Sequence, residues 1–152
     1  MRFPDSRLYL IYTPSLCTAD PWQTLASALA AGVDFVQWRS KRDDRDGFER
    51  TRALCQRAGV PLCVNDDVML AVRSHVHAAH VGQTDMPADA ARKLMAGRWL
   101  GVSAADRAQL DAAVAAGADY VGFGPVFPTA TKGYQVGKTP AEIGAAVAAA
   151  AA

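Results

Sequence analysis

Short apolar runs alternate along this chain with longer segments whose apolar residues recur at helical spacing. The runs are residues 8–12, 33–38, 60–64, 80–81, 99–102 and 120–123, and four of them stop at Thr13-Pro14, Asn65-Asp66, Ser103 and Gly124-Pro125. Runs this short, bounded by turn residues and rich in β-branched and aromatic side chains, predict buried strands. Between them the pattern predicts helices over residues 22–31, 47–57, 69–72, 88–96 and 106–116, and a last one from Pro140 onward. The helix starts carry their own chemistry. Asp20-Pro21 reads as an N-cap followed by proline at the first helical position, and Thr139-Pro140-Ala141-Glu142 reads as a capping box.

A repeat organises the pattern. Residues 29–36, Leu-Ala-Ala-Gly-Val-Asp-Phe-Val, are echoed by residues 114–121, Val-Ala-Ala-Gly-Ala-Asp-Tyr-Val, with looser copies at 57–62 and 95–100. Each copy reads as helix, glycine stop, then strand, because glycine takes the left-handed conformation that ends a helix. Strands alternating with helices predict βα units and a parallel sheet. About six units are present. The expected fold is therefore an α/β chain of the (β/α)8 TIM-barrel type, a single domain over residues 1–152, about two units short of closure. A complete doubly wound sheet is the weaker alternative, since polar residues follow almost every strand instead of gathering at one switch point.

Composition narrows the class. The chain has 152 residues, 51% hydrophobic and 20% charged, with a net charge of +1. That supports a substantial core and predicts no affinity for nucleic acid or an acidic membrane surface. No apolar run approaches a membrane span, and the N-terminal residues lack the apolar core of a signal peptide. Three cysteines, Cys17, Cys55 and Cys63, form no C-x-x-C pair and predict free thiols in a reducing cytoplasm. Cys63 falls within a predicted strand and reads as a small core residue rather than a nucleophile.

The candidate chemistry lies just after the strands: Gln37, Arg39 and Lys41, then Asn65 and Asp66, Gln83 and Asp85, Ser103, and Thr129, Thr131 and Lys132. In a parallel barrel these positions open on one face. Strand alternation puts Gln37, Arg39 and Lys41 on one side, with Trp38 pointing away. Three cations with two carboxylates from different strands suit a polyphosphate with Mg²⁺. Each piece has an ordinary alternative. Arg39 and Lys41 open a charge run that continues to Asp46. Asp66 could share cap duty with Asp67, which reads as the N-cap of the helix beginning near Val68, and Asp85 could cap the helix after Met86-Pro87. His75, His77 and His80 invite a metal reading, but their spacing fits no single helix face.

With these residues in place, the chain resembles the thiamine phosphate synthase family of TIM barrels. The resemblance rests on Gln37-x-Arg39-x-Lys41, Val64-Asn65-Asp66, His80-x-Gly82-Gln83-x-Asp85, Gly101-Val102-Ser103, and the stretch from Gly122 through Pro128, Thr129 and Thr131 to Lys132. It implies an enzyme joining hydroxymethylpyrimidine diphosphate to a thiazole phosphate, with release of pyrophosphate. It also implies Mg²⁺ on Asp66 and Asp85, and the diphosphate on Arg39, Lys41, Asn65 and Lys132. Gln37 and Ser103 would contact the pyrimidine, and Thr129 and Thr131 the thiazole phosphate. Arg39, Lys41, Ser103 and Lys132 are the residues it assigns to catalysis.

A related thiazole tautomerase carries a histidine two residues after the serine, as synthases often do, where this chain has Ala105; the tautomerase also tends to lack the G-Q-x-D and T-x-T-K motifs found here. The family's last two strands have no counterpart before Ala152. That leaves a shortened chain, a barrel completed by another chain (a homo-oligomer among the options), or a degenerate copy. A catalytically silent protein that binds thiamine-related phosphates is the alternative from another functional class.

Overall fold

The structure, a computed structural model, describes residues 6–128 and 136–150. Six strands form one parallel sheet in strict sequence order: β1 (Tyr9–Tyr12), β2 (Phe35–Trp38), β3 (Leu62–Asn65), β4 (Ala78–Val81), β5 (Trp99–Ala104) and β6 (Tyr120–Phe123). The helices alternate with them: α1 (Pro21–Ala30), α2 (Arg45–Ala58), α3 (Val68–Arg73), α4 (Ala88–Leu94), α5 (Arg107–Ala115) and α6 (Pro140–Ala150). An order with no reversal excludes the doubly wound alternative, which needs a switch point.

The sheet curls. Tyr9 on β1 and Tyr120 on β6 meet across its concave face, with hydroxyls 2.8 Å apart and ring centroids at 5.8 Å. Six sequential strands whose first and last members touch through their inward side chains make an incomplete barrel of the expected type. Along each strand alternate residues face the barrel interior. Tyr9, Phe35, Cys63, Ala78 and Trp99 form one inner cluster, in which Tyr9 and Phe35 stack at 4.8 Å. The opposite faces, with Tyr12, Val36, Trp38, Leu62, Val64, Ala79, Val81, Leu100 and Val102, pack against the helices. There Leu25 of α1, Phe48 and Cys55 of α2, Val68 and Ala71 of α3, Ala91 of α4 and Ala113 of α5 complete the larger core. A smaller cluster joins Ala104, Leu110 and Ala146, which seats α6 beside α5.

Local chemistry sets the helix ends. Asp20, Asp44, Asp67 and Asp106 accept from the third residue of α1, α2, α3 and α5 at 2.7–2.9 Å. The capping box of α6 is formed: Glu142 accepts from the Thr139 N–H at 2.8 Å, and Thr139 Oγ1 from the Glu142 N–H at 3.3 Å. Gly32 and Gly117, the stops of the two full repeats, have φ of 99° and 79°, where a side chain would be strained. Several boundaries shift from expectation. α2 begins at Arg45 instead of residue 47, because Asp44 caps it. β5 runs on to Ala104, which puts Ser103 inside the strand. At the barrel's amino-terminal end, Arg92 of α4 donates to Asp119 at 2.7 Å, and the same carboxylate accepts the Leu100 N–H at 2.7 Å. That half-buried pair ties α4 to β5 and the start of β6.

Candidate active site

A cleft of about 640 Å³ opens at the carboxyl ends of the strands. Arg39, Lys41, Asn65, Asp66, Asp85 and Ser103 all line it, so residues from four strand ends that are far apart in sequence face one space. The run that follows Arg39 divides as its chemistry requires. Asp44 is occupied as the cap of α2 and Asp43 pairs with Arg45 at 3.5 Å, whereas Arg39 and Lys41 enter no ion pair among the described residues. Two cations left to face a cleft are suited to an anion.

The carboxylates also separate from their capping alternatives. Asp67, not Asp66, caps α3. Asp66 sits at φ 67°, its backbone N–H donating to the His80 carbonyl at 2.8 Å. Aspartate tolerates this left-handed conformation better than most residues, and such positions cluster at functional sites. Pro87 occupies the N-cap of α4, so Asp85 does not cap it either. Instead Asp85 Oδ2 accepts the Gly82 N–H at 2.7 Å and closes the loop after β4.

Beneath the cleft runs a chain of hydrogen bonds that the sequence reading did not foresee. Gln37 Nε2 donates to the Tyr9 hydroxyl at 2.8 Å, and Tyr9 meets Tyr120. The Tyr120 hydroxyl lies 3.2 Å from His80 Nδ1, and His80 Nε2 lies 2.9 Å from Ser103 Oγ. Burial raises the pKa of Tyr9 and of Tyr120 above the ordinary phenol value, so both act as neutral hydroxyls. Burial likewise pushes the Cys63 thiol up to about 12, which removes it as a nucleophile. Gly101 makes room for this chain: a Cβ there would collide with the Tyr120 ring and with His80 Nδ1.

Gln37 is buried on β2, on the side where its amide donates to the Tyr9 hydroxyl. Thr129, Thr131 and Lys132 lie outside the described residues. The three histidines diverge. His75 pairs with Arg98 at 3.2 Å, His77 accepts the Leu62 N–H and stacks on Trp99, and only His80 reaches the cleft. Among the described residues no group of three or more His, Cys, Asp or Glu side chains is placed to hold a metal. Gln83 and Gln109 line the cleft as well; Gln109 Oε1 accepts the Ala105 N–H at 2.8 Å. His80 could have been found from alternation alone, since it keeps step with Cys63, Asn65 and Ser103 on inward positions.

Comparison with known proteins agrees with this architecture. The chain is 39% identical over 132 residues to the thiamine-phosphate synthase of Bacillus velezensis, covering 82% of this chain and 59% of the relative. That of Bacillus mycoides matches equally, with 60% of its length covered. The chain thus spans about three fifths of these curated relatives. Among solved structures, the thiamine phosphate pyrophosphorylase from Pyrococcus furiosus superposes with a TM-score of 0.74 at 28% identity, over 86% of this chain and 64% of that one. The family model described as thiamine monophosphate synthase matches residues 8–151, and the chain belongs to that family.

Proposed function

We propose that the chain is a cytoplasmic transferase of thiamine biosynthesis. It would join hydroxymethylpyrimidine diphosphate to a thiazole phosphate, giving thiamine phosphate and pyrophosphate. The observation that carries this reading is one cleft lined by two cations, Arg39 and Lys41, and two carboxylates, Asp66 and Asp85, with Asn65 and Ser103 beside them. Opposite charges side by side in a cleft match a ligand that is itself a cation–diphosphate pair. The donor set fits Mg²⁺, which takes one or two carboxylates and completes its shell from substrate phosphates and water. Asp66 and Asp85 would hold it. A divalent cation held there would supply positive charge to offset the negative charge developing on the leaving pyrophosphate.

In this reading the carbon–oxygen bond to the diphosphate breaks and pyrophosphate leaves with the electron pair. The thiazole nitrogen then gives its lone pair to the pyrimidinylmethyl carbon. No protein nucleophile is required. Arg39, Lys41 and Lys132 donate to the oxygens on which charge grows, Asn65 adds a neutral donor, and Ser103 orients the pyrimidine. Gln37, held by its bond to Tyr9, contacts the pyrimidine beside Ser103. Thr129 and Thr131 bind the thiazole phosphate.

The test is product formation by the purified chain supplied with both substrates, across a Mg²⁺ titration. Mg²⁺-dependent appearance of thiamine phosphate and pyrophosphate in equal amounts is the expected outcome. A folded chain that binds Mg²⁺-pyrophosphate and forms no product would instead support the silent binding protein.

A further inference from the structure

The geometry points to Gln83 as a positioning residue, whose side-chain amide continues the β4–β5 ladder past the end of β4 and thereby fixes Ser103. In a parallel strand successive residues turn their C=O and N–H groups to opposite sides. The Ala104 carbonyl accepts the Gly124 N–H at 3.2 Å and so faces β6. The Ser103 carbonyl, one residue back, therefore faces β4. On that side the backbone pairing has already ended, its last register pair being Val81 with Val102. Gln83 Nε2 supplies the missing donor, 2.6 Å from the Ser103 carbonyl oxygen.

Gln83 is itself exposed, so holding its side chain in one place costs rotamer entropy that only a formed contact offsets. Its loop is set up to present it. Asp85 Oδ2 accepts from the Gly82 N–H at 2.7 Å, and the Asp85 N–H donates to the Gly82 carbonyl at 3.4 Å, with Gln83 between them. Ser103 is thus gripped twice from the β4 side, at its carbonyl by Gln83 and at its hydroxyl by His80 at 2.9 Å. Asp85, at the far end of the same turn, lines the cleft as Ser103 does. One short loop therefore sets the spacing between a carboxylate from β4 and a hydroxyl from β5.

This inference rests on the proposed contact between Ser103 and the pyrimidine, and its test separates the two. Gln83→Met keeps the side-chain length and removes the donor. Hydroxymethylpyrimidine should bind the variant about five- to tenfold more weakly, the loss of one neutral hydrogen bond. Inorganic pyrophosphate with Mg²⁺ should bind as to the parent. On a Ser103→Ala background the same substitution should add no further loss of pyrimidine affinity, since the effect passes through the serine hydroxyl.

Unchanged pyrimidine binding, an equal fall for both probes, or losses that multiply on Ser103→Ala would each overturn the assignment. If the parent chain binds no pyrimidine, the functional reading fails. The clamp is then read from the carbonyl carbon resonance of Ser103: a shift in Gln83→Met supports it, and an unmoved resonance overturns it.

Discussion

Single residues show how far burial decides chemistry in this molecule. Cys55 and Cys63 are buried, and burial raises their thiols to about 11 and about 12, while Cys17 is only half-buried beside the Thr13 carbonyl. The thiolate is the reactive form, and access limits it further. One thiol per chain, that of Cys17, should therefore react quickly with an aromatic disulfide reagent in the native state, and all three in urea. Prompt labelling of Cys63 in the native state would contradict the packing described. The sequence made Cys63 legible as a core residue because its neighbours are apolar. It could not disclose the chain from Gln37 through Tyr9, Tyr120 and His80 to Ser103, since each link joins a different strand and depends on register. Tyr120 in particular read as one apolar residue of a strand, with nothing local to announce that its hydroxyl is spoken for.

Elements are where the sequence spoke most clearly. Glycine stops and aspartate caps act within a few residues, so a reader of the chain meets both partners together; Asp20 with Pro21, and Thr139 with Glu142, are cases that hold. Asp44 was missed because it lies in a charge run whose members look interchangeable until one of them accepts an N–H. The pair Asp66 and Asp67 shows the same ambiguity resolved by backbone geometry. Asp67 accepts the Leu70 N–H at 2.8 Å, so Asp67→Ala should lower stability by about 1 kcal/mol, read from the urea midpoint. Asp66 is not the cap of α3, and it lines the cleft at φ 67°. Asparagine tolerates that conformation, so Asp66→Asn leaves the backbone there unstrained. In the proposed reading it should weaken Mg²⁺-dependent pyrophosphate binding by about tenfold or more, the scale of a contact to a charged group. Adjacent aspartates that exchanged these two effects would reverse the assignment of cap and ligand.

At the scale of the molecule, the curl of the sheet depends on what fills its concave side. Helices packed on the outer face would serve a flat, twisted sheet equally well. The inner face distinguishes the two, and there the Tyr120 hydroxyl meets partners from three other strands. It lies 2.8 Å from Tyr9 on β1, 3.7 Å from Cys63 Sγ on β3 and 3.2 Å from His80 Nδ1 on β4. The contact with Tyr9 joins residues 111 apart in sequence, and so closes a loop whose entropy must be recovered from contacts of this kind. Tyr120→Phe keeps the ring and its packing against Tyr9 and His80 while withdrawing the hydroxyl from all three partners. The expected cost is about 1–3 kcal/mol, because buried polar groups lose a partner that water cannot easily replace. It should appear as a lower urea midpoint with the slope unchanged, as for a native state of the same compactness. The His80 ring, no longer steadied at Nδ1, should also hold Ser103 less firmly, and pyrimidine affinity should fall with stability. A Tyr120→Phe variant as stable as the parent would mean that the curl is held by the strand ladder and the helix layer alone.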